Sequence, residues 1–251
     1  MAARGEFEII VPPDIRACCL NLKGDPVVNL DFPFEAVIFD MDGVLVDTEI
    51  KYMHDEVDFF ADHGIAMKVE DLYWTAGTSH QDFCRLVREQ LATVGIELDD
   101  QQAWTTYKEW EATRPWDYTE VLNPGVAQTL AELRRRGVRV ALASSSPQES
   151  IERALSQCGL GEYFEFYVSG KDFKESKPNP EIYLHAIERL GLPVSACCCV
   201  EDSVPGITAG KAAGLTVFAK REDRFGFSQD AADMIIDRIP DLIDAAFALR
   251  G

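Results

Sequence analysis

The chain has 251 residues, of which 47% are hydrophobic, with 43 acidic residues against 24 basic ones and a formal net charge of −19. This composition is typical of a globular protein with a substantial core and not of a disordered chain. The negative charge argues against nucleic acid or an anionic membrane as a main partner, because both need basic surfaces. No apolar run reaches the roughly 18 residues of a spanning helix, and no secretion signal is evident, so we expect a cytoplasmic protein.

Residues 1–33 predict an N-terminal extension, to which we assign no chemistry. Two apolar segments, Phe7–Val11 and Val27–Phe32, have the length of short strands. Prolines border both segments, and proline is confined to sheet edges because it cannot donate to the strand ladder. We therefore expect this part of the chain to pack at an edge of the main domain.

Beyond the extension, continuous apolar runs predict strands that are covered on both faces, as in a parallel sheet. The first run is Ala36–Phe39, which ends at Asp40. The later runs are Val138–Ala143, Phe164–Val168, Cys197–Val200, Leu215–Ala219 and Met234–Ile236. Helical patterns that end at a glycine lie between them, over Val126–Arg136, Ile151–Cys158 and Ile182–Leu190. This alternation predicts a doubly wound, Rossmann-like α/β core formed by residues 34–48 and 121–251.

The long interval between the first two strands predicts a second, smaller domain inserted into the core. A single crossover between parallel strands needs far fewer residues than this interval contains. The interval has helical periodicity instead, with an apolar stripe that begins at Ile50 and Met53. Further along, Ser79 followed three residues later by Asp82 is typical of a helix N-terminus. We therefore predict an all-helical cap over residues 49–120.

Polar residues follow the predicted strands at the edge where open parallel sheets bind their ligands. In chain order they are Asp40, Asp42, Ser144, Ser145, Lys177, Glu201 and Asp202. The carboxylates among them would repel one another strongly, so a hard cation with oxygen ligands is expected, and Mg²⁺ is the natural candidate. The lysine, the serine hydroxyls and backbone N–H groups at helix starts can hold phosphate oxygens.

The two aspartates after the first strand suggest phosphoryl transfer. Asp40 can attack phosphorus as a nucleophile and form an aspartyl-phosphate. Asp42 can donate a proton to the leaving oxygen and later accept one from the attacking water. Taken alone, an Asp-x-Asp pair is more often a turn and a Lys-Pro pair a solvated loop. It is the ordered occurrence of these features at successive strand ends that indicates a site.

Four segments resemble, in order, the four motifs of the haloacid dehalogenase-like superfamily. They are Phe39–Glu49, Ser144–Ser145, Lys177–Pro178 and Val200–Gly206. The resemblance extends over roughly residues 35–237. The predicted insertion resembles the helical cap of the branch that contains β-phosphoglucomutase and many sugar-phosphate phosphatases.

The resemblance implies a role for each of the candidate residues. It places Asp40 at the nucleophile and Asp42 at the general acid and base. It places Ser144, with Ser145 beside it, and Lys177 at the phosphate-binding positions. An acid at position 42 disfavours cleavage of C–halogen or C–P bonds, so the resemblance implies phosphoryl transfer as the reaction.

The resemblance also implies how Mg²⁺ is held. Its ligands would be Asp40, the backbone carbonyl of Asp42 and the carboxylate of Asp202. Glu201 lies beside Asp202 in the sequence and would support the site.

The predicted cap loop bears on the substrate. Its residues Gly77, Thr78, Ser79 and His80 resemble the loop with which β-phosphoglucomutases hold a sugar phosphate. There a Lys precedes the Gly and an Arg follows the Ser, whereas this chain has Ala76 and His80. A mutase must hold a bisphosphate, so the loss of two cationic contacts favours a phosphatase. The other interpretation of His80 is an exposed loop residue.

The leading hypothesis is a Mg²⁺-dependent phosphatase of a small phosphorylated metabolite, with sugar phosphates as the favoured class. The alternative enzyme is a β-phosphoglucomutase-like phosphosugar mutase. A phospho-accepting receiver module is disfavoured because receivers are shorter, lack the insertion and carry their aspartate after the third strand. An inactive binding protein is also disfavoured, since every expected site residue is present. We expect a monomer or a weak homo-oligomer with no nucleic acid or membrane partner.

Overall fold

The computed structural model describes residues 32–250. Almost all of the predicted N-terminal extension therefore lies outside the described residues, and with it the predicted strand Phe7–Val11. Of the predicted strand Val27–Phe32 only the last residue is described. The ring centroid of this phenylalanine lies 6.1 Å from that of Phe34, at the margin of the main hydrophobic core.

Within the described residues, the core is a single parallel sheet of six strands. The strands are β1 (Ala36–Phe39), β2 (Arg139–Ser144), β3 (Phe166–Ser169), β4 (Cys197–Glu201), β5 (Thr216–Lys220) and β6 (Met234–Ile236). Their order in space is β3-β2-β1-β4-β5-β6, and β1 is flanked by β2 and β4. In this register Ile38 lies opposite Ala141 on one side and Cys199 on the other. The strand order reverses at β1, so the ends of these three strands define the expected binding edge.

Helices cover both faces of this sheet. Between residues 32 and 250 the α-helices are α1 (Thr48–Asp62), α2 (His80–Ala92), α3 (Asp100–Ala112), α4 (Val126–Arg135), α5 (Gln148–Gln157), α6 (Glu181–Leu190), α7 (Val204–Ala212) and α8 (Leu242–Arg250). Leu130 of α4, Ile151 of α5 and Leu242 of α8 belong to one buried cluster, and Ile182 of α6 and Ile207 of α7 to another. This arrangement confirms the predicted doubly wound α/β fold.

The strand β1 and the first four residues of β4 are apolar throughout because helices cover both faces of the sheet. All residues of β1 and β4 are buried, including the three consecutive cysteines of β4. The helix α5 begins earlier than its apolar pattern predicts, at Gln148 directly after Pro147. Its first turn is polar and exposed, so apolar periodicity alone could not reveal it.

The segment between β1 and β2 is a helical insert, as predicted. It contains α1, α2 and α3, which share a hydrophobic cluster of their own that includes Met53, Phe60, Leu72, Val87 and Tyr107. The helix α2 begins as its sequence predicts: the Asp82 N–H donates to the Ser79 hydroxyl at 3.2 Å. Among the described helices, none combines the length and the apolarity that crossing a bilayer requires.

The two connections between insert and sheet run side by side. The Asp47 N–H donates to the carbonyl of Val121 at 2.8 Å, and the Asn123 N–H donates to that of Leu45 at 2.9 Å. These bonds lie next to the predicted cap boundaries, residues 49–120, which themselves remain a prediction.

Candidate active site

A cavity of about 510 Å³ lies beyond the carboxyl ends of β1, β2 and β4, at the strand reversal. The core contributes Asp40, Asp42, Ser145, Lys177 and Asp202 to its lining. The insert contributes Thr48, Glu49, Tyr52, Gly77 and Thr78. The cavity, called the catalytic cavity below, is therefore enclosed by both parts of the chain.

Lys177 is the central cation of this cavity. Its ammonium group donates to Asp40 Oδ1 at 2.6 Å, to Glu201 Oε1 at 2.7 Å and to the carbonyl of Ala143 at 2.9 Å. The side chain is only 5% exposed. Burial alone would lower the pKa of Lys177, but the carboxylates of Asp40 and Glu201 raise it above its usual range. The lysine therefore keeps its charge in a nearly dry site.

Glu201 acts as a buried support behind the lysine. Its Oε1 also accepts a hydrogen bond from the Tyr183 hydroxyl at 2.6 Å, and its Oε2 accepts one from the Asp202 N–H at 3.2 Å. The first turn of α7 packs so closely on this carboxylate that a Cβ added to Gly206 would lie 2.0 Å from Oε2. Glycine is therefore required at this position.

Three buried carboxylates could together hold a metal ion. Asp40, Glu201 and Asp202 each offer an oxygen, and these atoms lie within 4.8 Å of one another. Burial raises the pKa of Asp40 to about 7, and Glu201 and Asp42 add to this while Lys177 opposes it. Burial and the carboxylates of Glu201 and Asp40 raise the pKa of Asp202 well above its usual range. An all-oxygen donor set with excess negative charge fits a hard divalent cation.

Asp42 is held by hydroxyl groups on both of its carboxylate oxygens. The Thr48 hydroxyl donates to Oδ1 at 2.7 Å, and the Ser146 hydroxyl donates to Oδ2 at 2.7 Å. The predicted site set contains neither of these hydroxyl residues. Thr48 lies within the first motif segment and Ser146 directly follows the second, but the contact of each with Asp42 depends on the tertiary fold.

The two predicted phosphate-binding serines lie at different depths. Ser144 is fully buried and does not line the cavity, and its hydroxyl accepts a hydrogen bond from the Ser146 N–H at 3.0 Å. Ser145 does line the cavity, and its hydroxyl oxygen lies 3.1 Å from that of Ser176. The structure thus brings Ser145 to the cavity surface and places Ser144 directly behind it.

The predicted substrate loop of the insert is divided between two spaces. Gly77 and Thr78 line the catalytic cavity. They also line an adjoining cavity of about 360 Å³, called the insert pocket below, which Ser79 and His80 line as well. The ring centroid of His80 lies 4.4 Å from that of Trp104. His80 is therefore in a position to contact the distal part of a ligand and does not line the catalytic cavity.

A loop of the core after β5 contacts the insert and its connection. The Arg224 guanidinium donates to Asp47 at 2.8 Å and to Glu222 at 2.8 Å. The next residue, Phe225, places its ring centroid 5.7 Å from that of Tyr73 in the insert. The sequence shows no pattern that pairs residues so far apart, and these contacts were not predicted.

Comparison with known proteins identifies the class of this fold and site. Residues 34–214 match the sequence model of the haloacid dehalogenase-like hydrolase family. The chain belongs to this family.

Its relatives include phosphatases. A phosphorylated carbohydrates phosphatase of Thermotoga maritima is 34% identical over 189 residues, which cover 72% of this chain and 82% of the relative. Hexitol phosphatase B of Escherichia coli (strain K12) is 31% identical over 72% of this chain and 80% of its own. The predicted superfamily and enzyme class, a haloacid dehalogenase-like phosphatase, are thus confirmed.

A solved structure has the same fold with a sugar bisphosphate bound. A variant of CbbY from Rhodobacter sphaeroides, in complex with xylulose 1,5-bisphosphate, superposes with a TM-score of 0.61 at 25% identity. The match covers 83% of this chain and 96% of that one.

Proposed function

We propose that this protein is a Mg²⁺-dependent phosphatase that hydrolyses a phosphorylated carbohydrate through an aspartyl-phosphate on Asp40. The observation that carries this proposal is the convergence of Asp40, Asp42, Lys177 and Asp202 on one cavity at the strand reversal. The names of the Thermotoga and Escherichia relatives support a carbohydrate phosphate as the substrate class.

In the first step, Asp40 attacks phosphorus. Its Oδ1 is held by Lys177, which fixes the orientation of the carboxylate. A bond forms from the carboxylate to phosphorus as the bond from phosphorus to the substrate oxygen breaks. Asp42, in its acid form, gives its proton to the leaving oxygen, and the free alcohol departs.

In the second step, water replaces the carboxylate. Asp42, now ionised, takes a proton from the water as the water oxygen attacks phosphorus. The bond from phosphorus to Asp40 breaks, and inorganic phosphate and the free carboxylate are regenerated. The hydroxyls of Thr48 and Ser146 orient Asp42 for both proton transfers.

The phosphate group would be held by the core side of the cavity. Lys177 supplies a buried positive charge, and Ser145 is the hydroxyl of the predicted pair that lines the cavity. Mg²⁺ would be held by Asp40, Asp202 and the backbone carbonyl of Asp42, with Glu201 in support. When bound it would offset negative charge on the transferred phosphate.

The insert favours a phosphatase over a mutase. Within the described residues, it contributes no Lys or Arg to the lining of the catalytic cavity. In the adjoining insert pocket, Lys108 is paired with Glu111, while Glu49 and Glu56 are acidic. On the insert side a second phosphate would therefore meet carboxylates, and the further lysine of the cavity lining, Lys171, belongs to the core.

The test is phosphate release from a panel of sugar phosphates with Mg²⁺. We expect the protein to release inorganic phosphate from at least one of them and from p-nitrophenyl phosphate. The mutase arm supplies β-glucose 1-phosphate with a bisphosphate activator. Formation of glucose 6-phosphate without phosphate release would contradict the proposal and indicate the mutase.

A further inference from the structure

The insert pocket extends the catalytic cavity into the helical insert. The two cavities share Glu49, Tyr52, Gly77 and Thr78, so a ligand with its phosphate near Asp40 can reach from one into the other. The chemistry described above uses only the catalytic cavity and leaves the far part of the insert pocket without a role.

Glu56 lies in that far part with an unsatisfied carboxylate oxygen. The residue is 7% exposed and lines the insert pocket. Its Oε2 is buried and has no hydrogen-bond partner in the described part of the chain. The neighbouring Asp55, by contrast, accepts a hydrogen bond from Lys51 at 2.6 Å. A buried carboxylate with an unpaired oxygen is costly, and a positive charge bound in the pocket beside it would lower that cost.

The surroundings of Glu56 favour a cation over a neutral donor. Glu49 and Glu111 also line the pocket, and Lys108 already pairs with Glu111. Burial, together with the charges of Glu49 and Asp55, raises the pKa of Glu56 to about 8. A positive charge placed between Glu49 and Glu56 would stabilise both carboxylates, which a hydroxyl group would do only weakly.

Aromatic rings form much of the remaining wall. The pocket is lined by Tyr52, Phe83, Trp104 and Tyr107. Ring faces attract ammonium groups and also pack against the apolar faces of a sugar ring. Carboxylates and aromatic rings together suit a protonated amine carried on a carbon skeleton.

The position of Glu56 limits the size of that skeleton. Helix α1 begins at the catalytic cavity, where the Thr48 hydroxyl contacts Asp42. Glu49 and Glu56 are two turns apart on one face of this helix, about 10 Å along its axis. The amine must therefore be separated from the phosphorus by several bonds, as in a hexose.

We propose that the insert pocket binds a protonated amine of the leaving alcohol through Glu56, so that the preferred substrates are amino-sugar phosphates. This inference rests on the proposed phosphatase function for its kinetic consequence. It does not alter the bond-making steps at Asp40, because the amine is bound and not transformed.

The kinetic test compares three esters of one skeleton with Mg²⁺ present. We expect kcat/KM for glucosamine 6-phosphate to exceed that for glucose 6-phosphate and N-acetylglucosamine 6-phosphate by at least about tenfold, as expected for a hydrogen-bonded charge pair. In Glu56→Gln that ratio should fall towards one, mainly through KM. The matched control Glu109→Gln, exposed on α3 and outside the pocket, should retain the ratio.

A substrate whose amine lies close to its phosphate tests whether the positive charge must reach Glu56. O-phosphoethanolamine carries its amine two carbons from the ester oxygen and cannot reach Glu56 while its phosphate lies at Asp40. We expect it to be a poor substrate. Hydrolysis as efficient as that of glucosamine 6-phosphate would overturn the assignment to Glu56.

A binding measurement separates this inference from the proposed function. In Asp40→Asn, calorimetry should show glucosamine 6-phosphate binding about tenfold more tightly than glucose 6-phosphate, a difference lost in Asp40→Asn with Glu56→Gln. Equal affinities would overturn the amine proposal even if the wild-type protein hydrolyses sugar phosphates. Selective binding of glucosamine 6-phosphate without hydrolysis of any ester would support the amine site in the insert pocket. It would also contradict the proposed phosphatase function.

Discussion

The ammonium group of Lys177 lies 2.6 Å from Asp40 and 2.7 Å from Glu201, so that one buried cation joins two strand ends of the sheet. Asp40 follows β1 directly, and Glu201 is the last residue of β4. The lysine therefore has two roles in this account: it offsets two buried negative charges, and it orients the proposed nucleophile.

Replacement of Lys177 should affect both stability and activity. Lys177→Gln leaves Asp40 and Glu201 without their cation, and loss of one partner of a buried pair costs about 3–5 kcal/mol. We expect the free energy of unfolding in urea to fall by that amount and phosphatase activity to be lost. The control Lys211→Gln removes an exposed pair with Asp233 and should cost less than about 1 kcal/mol. Equal losses in the two variants would contradict this role of Lys177.

Removal of divalent metal should abolish activity and lower stability. The carboxylates of Asp40, Glu201 and Asp202 repel one another at neutral pH, and a bound cation offsets that repulsion. Differential scanning fluorimetry should show a Tm lower by about 5 °C in EDTA than with saturating Mg²⁺. In Asp202→Asn the difference should shrink or vanish. An EDTA-resistant enzyme whose Tm ignores Mg²⁺ would show that the site holds no metal.

The buried carboxyl of Glu56 should make stability depend on pH. Its pKa rises from an ordinary value of 4.5 to about 8 in the folded protein, so the folded state holds the proton more tightly. The free energy of unfolding should therefore fall as pH rises from about 4.5 to about 8, by on the order of 1.4 kcal/mol per pKa unit. In Glu56→Gln this contribution is absent, and the decline should be smaller. If the free energy of unfolding changes with pH in the same way in wild type, Glu56→Gln and the control Glu109→Gln, Glu56 does not cause the pH dependence.

The contact of Arg224 with Asp47 should restrain the insert. Arg224→Gln removes the donors that hold this connection next to α1. We expect faster amide hydrogen exchange at the start of α1 and a several-fold lower kcat/KM, since the insert supplies one wall of the catalytic cavity. Arg221→Gln, which breaks an exposed pair with Asp237, is the matched control. Unchanged exchange in Arg224→Gln would show that this contact does not restrain the insert.

Patterns within short stretches of the sequence predicted those elements that depend on residues close together in the chain. The apolar run Ala36–Phe39 is β1 to the residue, because a strand buried on both faces needs apolar side chains throughout. The pair Ser79 and Asp82 begins α2 as predicted, because a helix cap involves only residues close in sequence. The polar residues after the strands converge because parallel strands end at one edge.

Other features depend on contacts between distant parts of the chain. The hydroxyl of Ser146 reaches Asp42 across 104 positions of sequence, and no periodicity signals that contact. Ser144 is the last residue of β2 and is buried behind the cavity lining. Its neighbour Ser145 therefore faces the catalytic cavity. Glu56 is acidic, so apolar periodicity does not mark it as a buried residue. The packing of α1 against the rest of the insert buries it.

The central claim is that Asp40 carries the phosphoryl group during turnover. Protein quenched in acid during steady-state hydrolysis, reduced with borohydride and digested, can be analysed by mass spectrometry, since the reagent converts an aspartyl-phosphate to homoserine. We predict homoserine at position 40 in the wild-type protein only when substrate and Mg²⁺ are present, and no turnover in Asp40→Asn. Full hydrolysis by Asp40→Asn, or homoserine at another aspartate, would contradict the account.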